Sequence, residues 1–247
     1  MGSFKVKLIK KFINNIDLAI ETGTCFGNGT RQMARLFHKV ITIELDETLH
    51  NETRQKLENE GYNNIQFLQG DSGVLIEHLS REISKPALFY LDAHWSGDAS
   101  VDWDNSEWKG YKTNTAHLGN GKTLPTAEQQ VPLDREINAI SKNFKNRGII
   151  YIDDLDKFSI EGKGIMNKAF LGEDYSHLNL KNFRKDLGTR LISWRNIKNK
   201  QLIISIDKIP RNPKEQFFQA MYYYTFFRLQ FFFDNFKLAL VNSFRKK

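Results

Sequence analysis

The fold is decided by the stretch Ile20-Glu21-Thr22-Gly23-Thr24-Cys25-Phe26-Gly27-Asn28-Gly29-Thr30, which joins an apolar run at 18–20 to a helical pattern over 29–37. A glycine-rich turn between a strand and a helix lets a ligand approach the backbone closely, although a plain tight connection is the alternative. No Gly-Lys-Ser/Thr follows, so the turn is not a P-loop, and it lacks the Gly-x-Gly start of a dinucleotide fingerprint. Glu21 would repel a pyrophosphate there and suits a cation or an amine.

Strand and helix patterns alternate outward from this turn. Further strands are predicted at 40–43, 65–68, 87–91 and 149–152. Helices are predicted at 47–60, 72–83 and 133–144, with Ser72 as the N-cap of the second of these. Strands that alternate with helices indicate an α/β protein with a parallel sheet and right-handed crossovers. Two more strands, at 191–197 and 202–206, are predicted to form a hairpin around a short turn.

The composition excludes several classes of protein. Of the 247 residues, 40% are hydrophobic and 26% are charged, which excludes a mostly disordered chain. The single cysteine, Cys25, excludes a disulfide framework and a multi-cysteine metal site, and we interpret it as loop packing. A reducing compartment, no signal-like apolar stretch at the start and no run of 18 apolar residues together predict a cytoplasmic protein.

The net charge of +7 is concentrated near one end of the chain. Residues 210–247 hold seven Lys or Arg and two acids, a net +5, so residues 1–209 carry only about +2. A basic tail on a near-neutral body favours an anionic surface near the tail. The same distribution disfavours a phosphate-tracking groove across the fold, so nucleic acid is not an expected partner.

Acidic residues close four consecutive predicted strands: Glu21, Glu44, Asp71 and Asp92. The carboxyl ends of parallel strands form the edge at which open α/β sheets bind ligands. An acid at the place of Glu44 accepts hydrogen bonds from both ribose hydroxyls of an adenosine, and Asp71 can accept from an adenine amino group. A solvated carboxylate is the alternative for each acid alone, but four in succession favour a shared site.

This order of residues resembles the class I S-adenosylmethionine-dependent methyltransferases. The resemblance is carried by Glu-x-Gly-x-x-x-Gly at 21–27, the acid after the second strand, Gly-Asp-Ser at 70–72 and Leu-Asp at 91–92. The hairpin agrees, because that fold ends with an antiparallel seventh strand. The resemblance covers about residues 15–207 and implies a Rossmann-like seven-stranded methyltransferase sheet that ends in an antiparallel hairpin. Cys25 departs from the pattern, since many members carry the middle glycine there.

The resemblance assigns cofactor-binding roles residue by residue. Glu21 and the loop 23–29 would hold the methionine part of S-adenosylmethionine, Glu44 the ribose and Asp71 the adenine. The full expected set is Glu21, Thr22, Gly23, Thr24, Phe26, Gly27, Gly29, Thr30, Glu44, Asp71, Ser72 and Asp92.

The expected catalytic residues are His94 and Asp92. His94 lies two residues past Asp92 and is a candidate general base for a hydroxyl acceptor, although a histidine that bonds a neighbouring loop is the alternative. Asp92, Asp153 and Asp154 would project from adjacent strand ends and suit Mg²⁺, Mn²⁺ or Ca²⁺ rather than Zn²⁺. This arrangement is similar to the metal site of catechol-type and macrocin-type O-methyltransferases. Aspartates that cap a turn are the alternative.

The substrate side is expected in an insertion at 96–130, which is too long for a connector and is predicted to act as a lid. Trp95 precedes it, and Trp103, Trp108 and Tyr111 within it suit stacking on sugar rings or nucleobases. The segment Asp92-Ala93-His94-Trp95 resembles the Asp-His-Trp segment of the catechol enzymes, with Ala93 inserted. Glu136 is expected near the site, because Pro132-Leu133-x-x-Glu136 is similar to a motif of the glycan-type relatives. A self-packed surface insertion is the alternative for 96–130.

Two parts of the chain are expected: a methyltransferase domain at 1–209 and an aromatic-rich helical extension at 210–247. From Phe217 to Phe244 apolar residues cover nearly all faces, which disfavours a solvated helix. Burial in a homodimer is the first expectation. Peripheral contact with a membrane and packing on the chain's own body are the alternatives.

The resemblance implies methyl transfer to a hydroxyl of a sugar, a glycan or a small polar metabolite, in surface polysaccharide (capsule) biosynthesis. The expected partner is a sugar or nucleotide-linked small-molecule acceptor. Three alternatives stay open: an RNA or cap methyltransferase, an N- or phosphoramidate-methyltransferase of a nucleotide-linked intermediate, and an inactive Rossmann-like module that acts through its aromatic tail.

Overall fold

A computed structural model of the chain describes residues 4–94, 131–153, 177–197 and 201–208, together with residues 128, 175, 214, 217 and 221. Its strands are β1 Leu18–Thr22, β2 Lys39–Glu44, β3 Ile65–Gln69, β4 Ala87–Leu91, β5 Gly148–Ile152, β6 Leu191–Ile197 and β7 Gln201–Ile206. Its α-helices are α1 Val6–Ile9, α2 Asn28–Ala34, α3 Glu47–Asn59, α4 Ser72–Glu82, α5 Leu133–Asn143 and α6 Leu180–Leu187, and a 3₁₀ turn covers Gly188–Arg190.

The strands form one seven-stranded sheet in the order β3-β2-β1-β4-β5-β7-β6. Strands β1 to β5 run parallel to one another, while β7 is antiparallel to both β5 and β6. The predicted Rossmann-like α/β sheet with a terminal antiparallel hairpin is therefore confirmed.

Two hydrophobic cores lie on opposite faces of the sheet. Helices α1 and α2 cover one face, and α4, α5 and α6 cover the other. Successive residues of a strand point to opposite faces, so Tyr90 of β4 packs with α1 and α2 while Phe89 packs with α5. This two-sided burial explains the continuous apolar run of β4.

The order of the strands reverses direction between β1 and β4, which are neighbours in the sheet. Open α/β sheets bind ligands beyond the carboxyl ends of the strands at such a switch point. The loop 23–29 follows β1 and residue Asp92 follows β4, so both lie at this place. The fold thus brings two of the predicted site segments together.

Helix α4 begins differently from the prediction, because its N-cap is Asp71 and not Ser72. The Asp71 backbone is extended, and its Oδ1 accepts from the backbone N–H groups of Gly73 at 2.8 Å and Val74 at 3.4 Å. A carboxylate satisfies these first-turn donors well, and Ser72 becomes the first residue of the helix.

The predicted helical extension lies mostly outside the described residues. Lys214, Phe217 and Met221 are described and are helical, and the side chains of Phe217 and Met221 are exposed. No helix in the described part of the chain is long and apolar enough to cross a membrane.

Candidate functional site

The loop 23–29 packs directly on the end of β4. Gly23 has φ +81°, and its N–H donates to the Ile43 carbonyl at 2.9 Å. A Cβ atom at Gly23 would lie 2.7 Å from the Asp92 carbonyl oxygen, closer than any real contact. Glycine is required here because the backbones of the loop and of the β4 end touch.

The other two glycines of the loop also make room for the protein's own atoms. A Cβ at Gly27 would lie 2.8 Å from the Thr53 side chain of α3. A Cβ at Gly29 would collide with Glu21 Oε1. Within the described structure, the glycines therefore serve the packing of the loop, a requirement that the sequence pattern does not distinguish from close approach of a ligand.

Cys25 takes the backbone conformation that glycine usually supplies. Its φ is +48°, its N–H donates to Glu44 Oε2 at 2.8 Å, and its carbonyl accepts from the Thr53 hydroxyl at 2.7 Å. Burial raises the pKa of the Cys25 thiol to about 11, so the thiol stays protonated at neutral pH. These two bonds hold Cys25 in the conformation that a glycine would adopt at this position.

Glu44 ends β2 and faces the loop. Its Oε2 accepts from Cys25, and its Oε1 accepts from the N–H groups of Leu45 at 2.9 Å and Asp46 at 3.1 Å. Burial raises its pKa, and these three backbone donors oppose that rise. Two carboxylate oxygens offer about four acceptor positions, so capacity remains for ligand hydroxyls.

Glu21 does not lie at the edge where the sequence pattern placed it. It is the penultimate residue of β1, paired with Thr42 of β2, and only 1% of it is exposed. Its Oε2 accepts from the hydroxyls of Thr30 at 2.5 Å and Thr42 at 2.7 Å. Burial raises the pKa of Glu21 to about 8, against the opposing effect of the two threonines.

Three other predicted cofactor-binding residues lie in the loop or directly before it. The Thr24 hydroxyl lies 2.6 Å from that of Thr42, and Thr24 is buried. Phe26 is half-buried within the loop. Thr22 is buried and accepts from the Asp92 N–H through its hydroxyl oxygen at 3.3 Å.

Asp71 forms an ion pair that the sequence did not reveal. Arg135 Nη2 lies 3.1 Å from Asp71 Oδ1 and 3.0 Å from Oδ2. The guanidinium also lies over Gly73, where a Cβ would be 2.7 Å from Arg135 Cζ. Arg135 stands on α5, some sixty residues away in sequence, so only the pairing of α4 with α5 shows the contact.

Asp92 and His94 lie together after β4. The Tyr90 hydroxyl donates to Asp92 Oδ2 at 2.9 Å. His94 Nδ1 lies 3.0 Å from the Asp92 carbonyl oxygen and 3.7 Å from its Oδ1, with 14% of the His94 side chain exposed. Burial and the nearby carboxylates of Asp92 and Asp153 raise the pKa of Tyr90 well above its usual value. Tyr90 therefore keeps its proton and donates a hydrogen bond to Asp92 throughout the ordinary pH range.

Asp153 follows β5, the neighbour of β4. Because Leu91 pairs with Ile152, Asp92 and Asp153 are side by side at the sheet edge. Gln201 of β7 donates to Asp153 Oδ1 at 2.9 Å. The third predicted metal ligand, Asp154, lies outside the described residues, and among those described no cluster of three or more His, Cys, Asp or Glu side chains is placed to hold a metal.

Glu136 lies next to Thr22 and Ser72, two of the predicted cofactor-binding residues. It is fully buried on α5, and neither of its carboxylate oxygens accepts a hydrogen bond of ordinary geometry from the described residues. Burial raises its pKa to about 7, while the Ser72 and Thr22 hydroxyls act in the opposite direction.

Two apolar side chains at this edge were not predicted. Leu45 follows Glu44 and is 46% exposed, and Val74, near Asp71, is 49% exposed. Hydropathy alone does not predict these exposed apolar side chains next to two acids, because Leu45 and Val74 are each a single apolar residue near the end of an element. The predicted substrate residues Trp95, Trp103, Trp108 and Tyr111 lie outside the described residues, as does the predicted lid at 96–130 except for residue 128.

Comparison with known proteins gives a partial match in sequence. No model of a known protein family matches the chain. A stretch of 59 residues is 36% identical to protein-L-isoaspartate O-methyltransferase 2 of Pelobacter propionicus. This stretch is 24% of the present chain and 26% of that protein, so the match spans about a quarter of the relative's length.

Solved structures give likeness at low identity. The O-methyltransferase TomG from Streptomyces achromogenes, solved with SAM, has a TM-score of 0.49 at 11% identity, covering 82% of this chain and 79% of that one. An rRNA methylase from Streptococcus thermophilus has a TM-score of 0.41 at 14% identity, covering 83% and 93%. Neither score reaches 0.5, so these likenesses add nothing to what the strand order already shows.

Proposed function

We propose that the chain is an S-adenosylmethionine-dependent methyltransferase that acts on a hydroxyl of a sugar or another small polar metabolite. The observation that carries the proposal is the meeting of the loop 23–29 with the end of β4 at the switch point of a sheet ordered β3-β2-β1-β4-β5-β7-β6. The quarter-length match to a protein methyltransferase supports methyl transfer as the chemistry and selects no acceptor.

The residues around this edge fit the cofactor's chemistry. An adenosine has apolar ring faces and polar hydroxyl and amino edges, and the edge offers exposed Leu45 and Val74 beside the acids Glu44 and Asp71. Glu44 would hold the ribose, Asp71 the adenine amino group, and the loop 23–29 the methionine part. When bound, S-adenosylmethionine supplies a methyl group on a positively charged sulfur.

The acceptor's proton is the task of the residues after β4. If His94 donates through Nδ1 to the Asp92 carbonyl, its Nε2 carries the lone pair and can accept a proton from a hydroxyl. Tyr90 fixes one oxygen of the Asp92 carboxylate. We therefore assign His94 as the base and the main-chain carbonyl of Asp92 as the group that orients it.

The proposal also includes a divalent metal ion bound at this edge of the sheet. Asp92 and Asp153 stand side by side and would, with Asp154, supply hard oxygen ligands for Mg²⁺ or Mn²⁺. The ion would make a bound hydroxyl more acidic. Activity that falls with EDTA and returns with Mg²⁺ or Mn²⁺ supports this part, and full activity in chelator leaves His94 as the base alone.

Surface polysaccharide synthesis, in the cytoplasm, is the setting we propose. The glycan-type motif at Pro132 to Glu136 supports it, since Glu136 lies beside Thr22 and Ser72. The small excess of positive charge on residues 1–209 argues against the RNA alternative.

Isothermal titration calorimetry with S-adenosylmethionine tests the proposal. Wild-type protein should bind it with micromolar-scale affinity. Glu44→Ala should weaken binding roughly tenfold or more, because ribose hydroxyls lose a charged acceptor and the loop loses a tie. Glu47→Ala, the removal of an exposed acid in the first turn of α3, is the matched control and should bind as wild type does. Binding of NADH in place of S-adenosylmethionine, or no binding by wild type, overturns the proposal.

A further inference from the structure

We infer that Glu21 is a positioning residue that holds the loop 23–29 from inside the protein, together with Thr42 of β2, and does not itself bind the methionine ammonium. The inference rests on the proposed function in one respect, namely that this loop is the one that receives the cofactor. It replaces the direct role that the sequence pattern assigned to Glu21, and it adds Thr42, which no motif singled out.

Glu21 lies inside the sheet and not at its ligand-binding edge. Glu21 pairs with Thr42 in the parallel ladder, one residue before the end of β1, and is 1% exposed. Thr22, the last residue of the strand, lies between it and the loop. A ligand at the sheet edge would have to displace the loop to reach this carboxyl group.

The hydrogen bonds of the neighbouring threonine hydroxyls all lead to Glu21. Thr42 donates to Glu21 Oε2 at 2.7 Å, so its single hydroxyl proton is used there. The Thr24 hydroxyl, 2.6 Å from that of Thr42, must therefore be the donor in their contact. Thr30 donates to the same Oε2 at 2.5 Å. The direction of these bonds makes Glu21 the final acceptor for hydroxyls on both sides of the loop.

The second carboxyl oxygen of Glu21 is enclosed by the protein's own atoms. Oε1 lies against Gly29, so closely that a Cβ there would collide with it. The space beside Glu21 is thus filled by the start of α2. Burial, together with the nearby Glu44 carboxylate, disfavours the charged form and raises the pKa of Glu21 to about 8. A carboxyl group that is enclosed by the protein and whose charged form is disfavoured is a poor partner for an ammonium group.

The two roles differ in what a glutamine would do. In the Glu21→Gln variant, the amide oxygen would accept from Thr30 and Thr42 as the carboxyl oxygen does, since the two side chains have the same shape. A direct ion pair with the methionine ammonium needs the negative charge, which glutamine lacks. Glu21→Gln therefore separates a positioning role from a binding role, whereas Glu21→Ala removes both.

The experiment measures the S-adenosylmethionine dissociation constant by calorimetry for wild type, Glu21→Gln, Glu21→Ala, Thr42→Val and Thr42→Ser. We expect Glu21→Gln and Thr42→Ser to stay within about threefold of wild type. Glu21→Ala and Thr42→Val should weaken binding roughly tenfold or more, because Thr30 loses its buried acceptor in the first variant and Thr24 loses its buried partner in the second. Equal losses in Glu21→Gln and Glu21→Ala would overturn the inference.

Hydrogen exchange of the amides at 23–30 gives a readout that does not need the cofactor. Exchange should rise in Glu21→Ala and Thr42→Val and stay at the wild-type level in Glu21→Gln. If wild type binds no S-adenosylmethionine, the proposed function fails, and this exchange pattern still decides the role of Glu21. An unchanged rate in Glu21→Ala, measured where circular dichroism shows a folded protein, contradicts the inference. If Glu21→Ala does not fold, Thr42→Val decides it in the same way.

Discussion

Cys25 adopts a backbone conformation that a residue with a side chain disfavours. A non-glycine residue in the left-handed region costs roughly 1 kcal/mol, and the bonds from Cys25 to Glu44 and from Thr53 hold it there. We predict that Cys25→Gly changes the free energy of unfolding by less than about 1 kcal/mol, since relief of strain offsets the greater freedom of the unfolded chain. Cys25→Val should destabilise by about 1–2 kcal/mol, because a β-branched residue fits this region poorly.

Urea unfolding of the three proteins measures both changes. A valine variant as stable as wild type would mean that the backbone at residue 25 is not left-handed in solution.

At the residue scale, the sequence predicts the positions of some acids at the sheet edge and not of others. Glu44 and Asp92 lie at the sheet edge as predicted, because each comes at or after the last residue of its strand. Glu21 comes one residue earlier, and that offset of one places its side chain inside. Arg135 and Gln201 escaped prediction because their partners are distant in sequence and only the packing of elements joins them.

At the scale of elements, Arg190 fastens several chain segments at once. It is buried, and its guanidinium donates to the carbonyls of Ile140, Ser141, Asn146 and Asp207. These oxygens include the last carbonyls of α5, the approach to β5 and the exit of β7. Burial lowers the pKa of Arg190 to about 10, so it is still charged at neutral pH.

We predict that Arg190→Met lowers the free energy of unfolding by roughly 3 kcal/mol, because buried carbonyls lose charged donors. Arg81→Met is the matched control, since Arg81 lies on the exposed side of α4 with only an i,i+4 partner, and it should cost less than about 0.5 kcal/mol. Denaturation in urea compares them, and equal midpoints for the two variants would show that the Arg190 bonds contribute nothing net.

The elements themselves were largely predictable, because apolar periodicity and buried β-branched runs are local signals. Strand β4 has the predicted ends, whereas α2 ends at Ala34, three residues before the predicted end. The N-cap of α4 was assigned one residue late, since Asp71 and Ser72 are both good caps and only the backbone conformation decides between them. Helix α1 carries too short a pattern to be predicted from periodicity, yet Phe4 before it packs on Tyr90 and Tyr151.

For the whole molecule, buried acids make stability depend on pH. The pKa of Glu21 is about 8 and that of Glu136 about 7 when folded, both above the ordinary 4.5. At pH values between 4.5 and these folded-state pKa values, the folded state therefore holds more protons than the unfolded state. The free energy of unfolding accordingly falls as the pH rises through about 8. His50, whose pKa burial lowers, acts in the opposite sense and only below its ordinary 6.5.

We predict that the urea midpoint falls between about pH 6.5 and pH 8.5 and that Glu21→Gln flattens this slope. The difference between the two proteins is the measurement, because other groups titrate equally in both. Parallel pH profiles would contradict a buried neutral Glu21.

The aromatic extension at 210–247 bears on assembly. Phe217 and Met221 are each in helical conformation and are both exposed, at 64% and 50%. We propose that this segment forms a homodimer interface, with an anionic membrane surface as the alternative that the basic end favours. Light scattering should give a dimer for the full chain and a monomer for a variant that ends at Ile209. A full-length monomer that also ignores anionic vesicles leaves only packing on the chain's own body.

Under the proposed function, the backbone contact at Gly23 would set the distance between the loop that holds the methyl donor and the residues after β4 that face the acceptor. A methyl group at residue 23 would have to move from 2.7 Å to the 3.4 Å of an ordinary contact with Asp92, a displacement of about 0.7 Å. A misplacement of about 1 Å between reacting groups can cost roughly a hundredfold in rate. Under the proposed function, side chains around the site would determine which acceptor is recognised, while this main-chain contact would determine the distance over which the methyl group is transferred.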